Sequence, residues 1–296
     1  MVLYVHGWHN NARPEQGDLY SFRQLMAGLA ETNREKQVTG IYVSWDANSD
    51  IPLWYYLDFW SKMGAADRIA ASGTVTNVVA AIASMVARSS EPGQFIAIGH
   101  SFGARILMAS TAQNTIAATQ RAHPGGANAY YREIEGLAQT TILLNPAFEA
   151  AYWTPIQAFN RSEDHFSPDQ KPVLLAISTD NDAATGYAFP LAQWVAWKTA
   201  PGEVTTLGNY LPFWTHELSL MAGSHCRDAQ STSALTESYD TAEVCLHRAH
   251  GFEHNPFMLV HTDGSILTAT MGSGVTGFQL GFSAISTNWA SSSRPK

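Results

Sequence analysis

Charge is scarce in this chain. Of its 296 residues only 14% are Asp, Glu, Lys or Arg, against roughly 25% in an average soluble protein. The balance is acidic, with 17 basic against 25 acidic residues and a formal net charge of −8. Nucleic-acid binders carry a basic excess in clusters, so no nucleic-acid partner is expected. No run reaches the roughly 18 to 20 apolar residues that cross a bilayer, so no membrane span is expected. The start lacks the basic, apolar and cleavage segments of a signal peptide. Met1 leads at once into Val2-Leu3-Tyr4-Val5, which reads as a core strand, and further chain upstream is therefore expected.

Cysteine is almost absent: there are two, Cys226 and Cys245. In an oxidising compartment they would close a loop of about 20 residues, worth roughly 3 kcal/mol in the chain-entropy model. The other reading is two unrelated small residues. Low charge, few lysines and nine Trp lean toward an extracytoplasmic protein without fixing a compartment. Apolar residues are plentiful, at 45%, and that excludes long-range disorder.

Short β-branched runs alternate with longer helical stretches along the first two thirds of the chain. Strands are expected at 2–5, 38–44, 95–98, 140–144 and 173–178, with helices at 20–32, 65–89, 104–120 and 183–198. This order predicts parallel βαβ crossovers, a mostly parallel sheet and helices on both faces. The pattern breaks at about 200–255, rich in Pro, Gly, Ser, Thr and five histidines, which reads as an irregular cap or insertion within one domain. A strand at 257–262 and a helix at 274–286 return to the core pattern.

The strongest motif is Gly99-His100-Ser101-Phe102-Gly103, between a strand and a helix. A chance G-x-S-x-G in such a chain is expected roughly 0.1 times. Glycines on both sides of a tight bend remove collisions and leave the Ser101 hydroxyl exposed above the sheet. The second motif is His6-Gly7-Trp8, after the first strand. There the Trp8 N–H, together with the Phe102 N–H at a helix N-terminus, would cradle an oxyanion. His6 reads as a hydrogen-bonding support of that loop. No carboxylate stands at metal spacing from His6 and His9, so no metal is expected.

The two motifs together resemble the α/β-hydrolase superfamily, of esterase/lipase type. The resemblance implies that strand 2–5 is the family's third, with the two antiparallel edge strands before it absent. It implies a catalytic carboxylate after the strand at 173–178, where Asp182 fits the family's pattern, Asp180 is the alternate and Glu149 a distant third. It implies a histidine after the last strand, yet 263–274 contains none. Three sources of the base stay open: His216 folding back from the excursion, His261 at the end of its strand, or no base at all.

Residues 51–60 pack five aromatics into ten positions, and Trp54, Phe59 and Trp60 are candidates for an apolar acyl or aryl pocket. Ordinary core packing is the competing reading. The function implied is hydrolysis of a hydrophobic carboxylic ester through Ser101, with Asp182 and His216 completing the triad and no cofactor. The alternative is a non-catalytic relative that binds a hydrophobic ligand or a partner.

Overall fold

In a computed structural model of the protein, the described residues are 1–13, 17–48, 55–91, 93–122, 133–159, 166–167, 169–179, 200–222, 225–226, 238–240, 244–251 and 254–262. The architecture is α/β. Among the described residues ten strands form one sheet, mostly parallel: β1 (Val2–Val5), β2 (Gly40–Val43), β3 (Ile96–His100), β4 (Thr140–Leu144), β5 (Leu174–Thr179), β6 (His216–Ala222), β7 (His225–Cys226), β8 (Ser238–Asp240), β9 (Val244–Arg248) and β10 (Phe257–Thr262). Their order is β2-β1-β3-β4-β5-β10-β6-β9-β8, with β7 pairing β6. The seven strands from β2 to β6 in that order are parallel, while β7, β8 and β9 run antiparallel to their neighbours.

Alternate residues of the parallel strands feed two separate cores, one on each face, because successive side chains point to opposite sides. On one face Tyr4, Ile98, Ile142, Leu175 and Met258 meet helix α1 (Gly17–Thr32) through Phe22, Leu25 and Leu29. On the other, Leu3, Ala97, Leu143, Ala176 and Leu259 meet α2 (Tyr55–Ala71), α3 (Thr74–Ala87) and α4 (Phe102–Ala122). Helices therefore cover both faces, as the alternating sequence predicted. Among the described residues β2 is the sheet's edge on the β1 side.

Three expectations change in detail. The helix expected at 65–89 is two helices, broken at Gly73, whose φ of 73° is left-handed. The aromatic stretch at 51–60 is helical from Tyr55 onward. Within 200–255, expected to be irregular, β6 pairs with β10 and β9 pairs with β6, so this segment lengthens the sheet. Cys245 lies buried on β9 and is disulfide-bonded, in a chain with two cysteines. The helices expected at 183–198 and 274–286 fall outside the described residues. Among the described residues no single helix is long and apolar enough to cross a membrane.

Candidate functional site

At the carboxyl end of β3 the chain turns from strand to helix within one residue. Ser101 takes φ 53°, a left-handed backbone that side chains disfavour. Four hydrogen bonds hold it there: its N–H donates to Leu144 O (2.9 Å), and its carbonyl accepts from Ala104 N (3.1 Å), Arg105 N (3.2 Å) and Ala147 N (3.3 Å). The flanking glycines permit the turn. A Cβ on Gly103 would stand 2.1 Å from Val5 O, and one on Gly99 2.7 Å from Ala104 Cα. Ser101 is half-buried. Phe102 is the first residue of α4, where backbone N–H groups have no acceptor within the helix and the dipole is positive.

Beside this turn runs the loop after β1. Gly7 lies against it so closely that an added Cβ would meet His100 Nδ1 and Ser101 Cβ at 3.0 Å each. His6 is fully buried, and its tautomer follows from its partners. Nε2 accepts from Trp45 N (3.1 Å), so Nδ1 carries the proton and donates to Gly7 O (2.8 Å). Burial holds this imidazole below its ordinary pKa, with His100 adding to the effect and the Gly7 carbonyl and Asp18 opposing it. The Gly7 carbonyl and the Trp8 N–H share one trans peptide plane and point in opposite directions. Fixing the first therefore aims the second.

Asp18, near the start of α1, stands under both segments. Its Oδ2 accepts from Tyr4 OH (3.2 Å) and Gly7 N (3.4 Å), and pairs with His100 Nδ1 (3.3 Å). Burial pushes this carboxyl up, but His100, the Gly7 N–H and His6 outweigh it and hold it below the usual carboxylate range. A second buried group lies one turn into α4. Arg105 donates to Asp67 through Nε (2.6 Å) and Nη2 (3.1 Å), and to Glu149 Oε2 through Nη1 (2.7 Å). Glu149, the third candidate acid, is thus bound to a buried guanidinium.

The side chains of several expected site residues meet. Trp8 packs edge-on to Phe59 (5.6 Å between centroids) and tilted on Phe102 (6.1 Å), while Phe59 touches Phe102 (5.1 Å) and Trp60 (6.2 Å). Trp8 Nε1 donates to Asp58 Oδ2 (3.2 Å). Phe59 itself is buried in the core. Trp54, Asp180, Asp182 and the 263–274 loop fall outside the described residues. The start of the loop carrying both aspartates is anchored: Asn145, with φ 41°, accepts Thr179 N–H on its Oδ1 (3.1 Å).

His216, from the excursion, lies elsewhere. The pairings His100↔Leu144, Leu144↔Ile177, Ile177↔Val260 and Val260↔His216 put four strand spacings between His100 and His216. That is roughly 19 Å across the sheet. The structure does not bring the His216 ring to Ser101. His216 is 2% exposed, Nδ1 meets Thr215 Oγ1 (2.9 Å), and Nε2 has no hydrogen-bond partner. Burial, with nearby Arg248, lowers its pKa to about 3. His261, three strands from β3, stacks on Trp214 at 3.9 Å and 13°.

Sequence reasoning missed Asp18, His100 as a partner, and the Arg105 group. Nothing local marks them, because each acquires its role from residues 11 to 82 positions away. A groove of about 370 Å³ lined by Trp45, Lys62 and Arg68 does not include Ser101. Among the described residues no three His, Cys, Asp or Glu side chains gather as metal ligands would. Compared with known protein families and with curated protein sequences, the chain matches none.

Proposed function

We propose that the protein is a serine hydrolase of the α/β-hydrolase type that cleaves carboxylic esters by acyl transfer. The observation that carries this reading is the backbone of Ser101, left-handed between two glycines that touch neighbouring main chain. Such a turn lifts the hydroxyl above the sheet and sets it beside the start of α4. The Ser101 hydroxyl attacks the ester carbonyl, its proton passing to a general base that returns it to the departing alcohol. The Trp8 and Phe102 N–H groups receive the negative charge, and water then hydrolyses the acyl-enzyme. Asp182 is the proposed carboxylate. The aromatic group of Trp8, Phe59, Phe102 and Trp60 supports an apolar acyl or aryl substituent, and Trp54 is proposed with it from the sequence alone. His216, four strands away, gains no support as the base from its position.

One observation favours a second reading. With no histidine in 263–274 and His216 distant, the same group of residues would suit a non-catalytic binder of a hydrophobic ligand. A site without its base keeps only about 10³- to 10⁴-fold catalysis over water. A fluorophosphonate probe with p-nitrophenyl butyrate turnover separates the two. The hydrolase predicts one label per chain, lost in Ser101→Ala. A folded sample silent in both assays would establish the binder instead.

A further inference from the structure

The paired register of β1 and β3 ends at Val5↔Gly99. The two segments that would do the chemistry, Gly7-Trp8 and Ser101-Phe102, both lie beyond that last pair. Oxyanion stabilisation depends on donors standing about 3 Å from the developing charge, so the offset between these segments matters to a fraction of an ångström. Something other than the sheet ladder has to set it.

The Asp18 carboxylate spans that gap. A single oxygen, Oδ2, receives the Gly7 N–H from the first segment and the His100 ring from the second, with the Tyr4 hydroxyl as a third partner. Asp18 is 9% exposed, so little water competes for these bonds. Its own N–H donates to Asn10 Oδ1 (3.4 Å), and Asn10 Nδ2 donates onward to Trp8 O (3.1 Å). Counting His6 on Gly7 O, three consecutive peptide groups of the loop are held: Gly7 at its N–H, Gly7 at its carbonyl and Trp8 at its carbonyl. Of these three hydrogen-bonded groups, Asp18 is the one that also reaches the serine turn, beside the packing of Trp8 on Phe102. A carboxylate that merely favoured the start of α1 would not need to face away toward two strands.

We propose that Asp18 is a positioning residue: its Oδ2 clamps the oxyanion loop at Gly7 to the serine turn at His100, and so fixes the Trp8 N–H relative to Ser101. The inference rests on the acyl-transfer reading. It assigns Asp18 no contact with substrate. Removing the carboxylate leaves the Gly7 N–H without its acceptor and lets the loop drift from the turn.

The test compares wild type, Asp18→Ala and Asp18→Asn, each confirmed folded by circular dichroism at the assay temperature. The second-order rate of fluorophosphonate labelling at Ser101 is read beside kcat and KM for p-nitrophenyl butyrate. Asp18→Ala is expected to lower labelling and kcat about 10²-fold with KM moving less than about threefold. Asp18→Asn keeps one oxygen for the Gly7 N–H and is expected to recover about tenfold of that loss. A purely structural aspartate predicts lower thermal stability with labelling of the folded fraction within about threefold of wild type, and that result would overturn the proposal. If Asp18→Ala does not fold, the nearly isosteric Asp18→Asn decides by the same threshold. Wild-type protein that fails to label would fell the acyl-transfer reading, and this inference with it, before any variant is compared.

Discussion

His100 and His216 stand on one register row and the same face of the sheet, four strands apart, in unlike surroundings. Around His100 and its neighbour His6, buried polar atoms are matched: a carboxylate, a carbonyl and a backbone N–H meet the rings within 3.3 Å. At the far end, His216 Nε2, His247 Nε2 and Asn255 Nδ2 are buried without a hydrogen-bond partner. Burial alone leaves an imidazole neutral and inert. Burial with a carboxylate and main chain around it makes a fixed scaffold for chemistry. Position on a row decides little, and the partners supplied by other elements decide the role.

The sharpest break of this contrast is at Gly103. A methyl group there would stand 2.1 Å from Val5 O, forcing β1 and α4 apart. Gly103→Ala is expected to reduce labelling of Ser101 at least about 10²-fold and to cost roughly 1–3 kcal/mol. Labelling and a denaturant titration measure both. A variant that labels at the wild-type rate would show that the turn is not as tight as the geometry requires.

Arg105 tests the same end through charge. Its guanidinium and the Glu149 carboxylate are both about 4% exposed and paired at 2.7 Å. Burial alone would lower the guanidinium pKa, but Asp67 and Glu149 more than reverse that and keep it charged. Arg105→Ala removes the guanidinium that faces the buried Glu149 carboxylate and is expected to cost about 3–5 kcal/mol of unfolding free energy. A loss under about 1 kcal/mol would mean that the pair is exchanged for solvent rather than broken.

At the far end the effect depends on pH and is absent at neutrality. Folded protein keeps His216 neutral down to about pH 3, whereas an ordinary imidazole takes up its proton near pH 6.5. Between those values the unfolded chain binds the extra proton, so this residue's contribution to stability falls as pH drops from 6.5 and is fully lost near 3. Over pH 7 to 4 the loss is on the order of 3 kcal/mol. His216→Leu is expected to lose that much less than wild type over the same range, read by urea unfolding at both pH values. Equal losses would mean that His216 takes up its proton without unfolding.

The parallel core was readable in the chain because its signals are local. Strands such as 140–144 and 257–262 are short apolar runs, and both coincide with the observed β4 and β10. The Gly99-to-Gly103 motif was readable because its glycines answer to contacts that any side chain would violate. The strands of 200–255 were not, because β6 carries His216 and Glu217, and its strand character comes from pairing with β10. The aromatic stretch hid a helix start at Tyr55, since bulky residues suit helix, strand or loop about equally.

The amino-acid order by itself determined the alternating α/β layout, the bend at Ser101 and the acidic, charge-poor surface, because steric exclusion and periodicity act between near neighbours. Only the tertiary structure decided that Asp18 meets Gly7 and His100, that Arg105 claims Glu149, and that His216 is carried to the far side of the sheet. Those partnerships join residues far apart in the chain, and strand order, which no local pattern encodes, brings them within hydrogen-bonding distance or keeps them out of it.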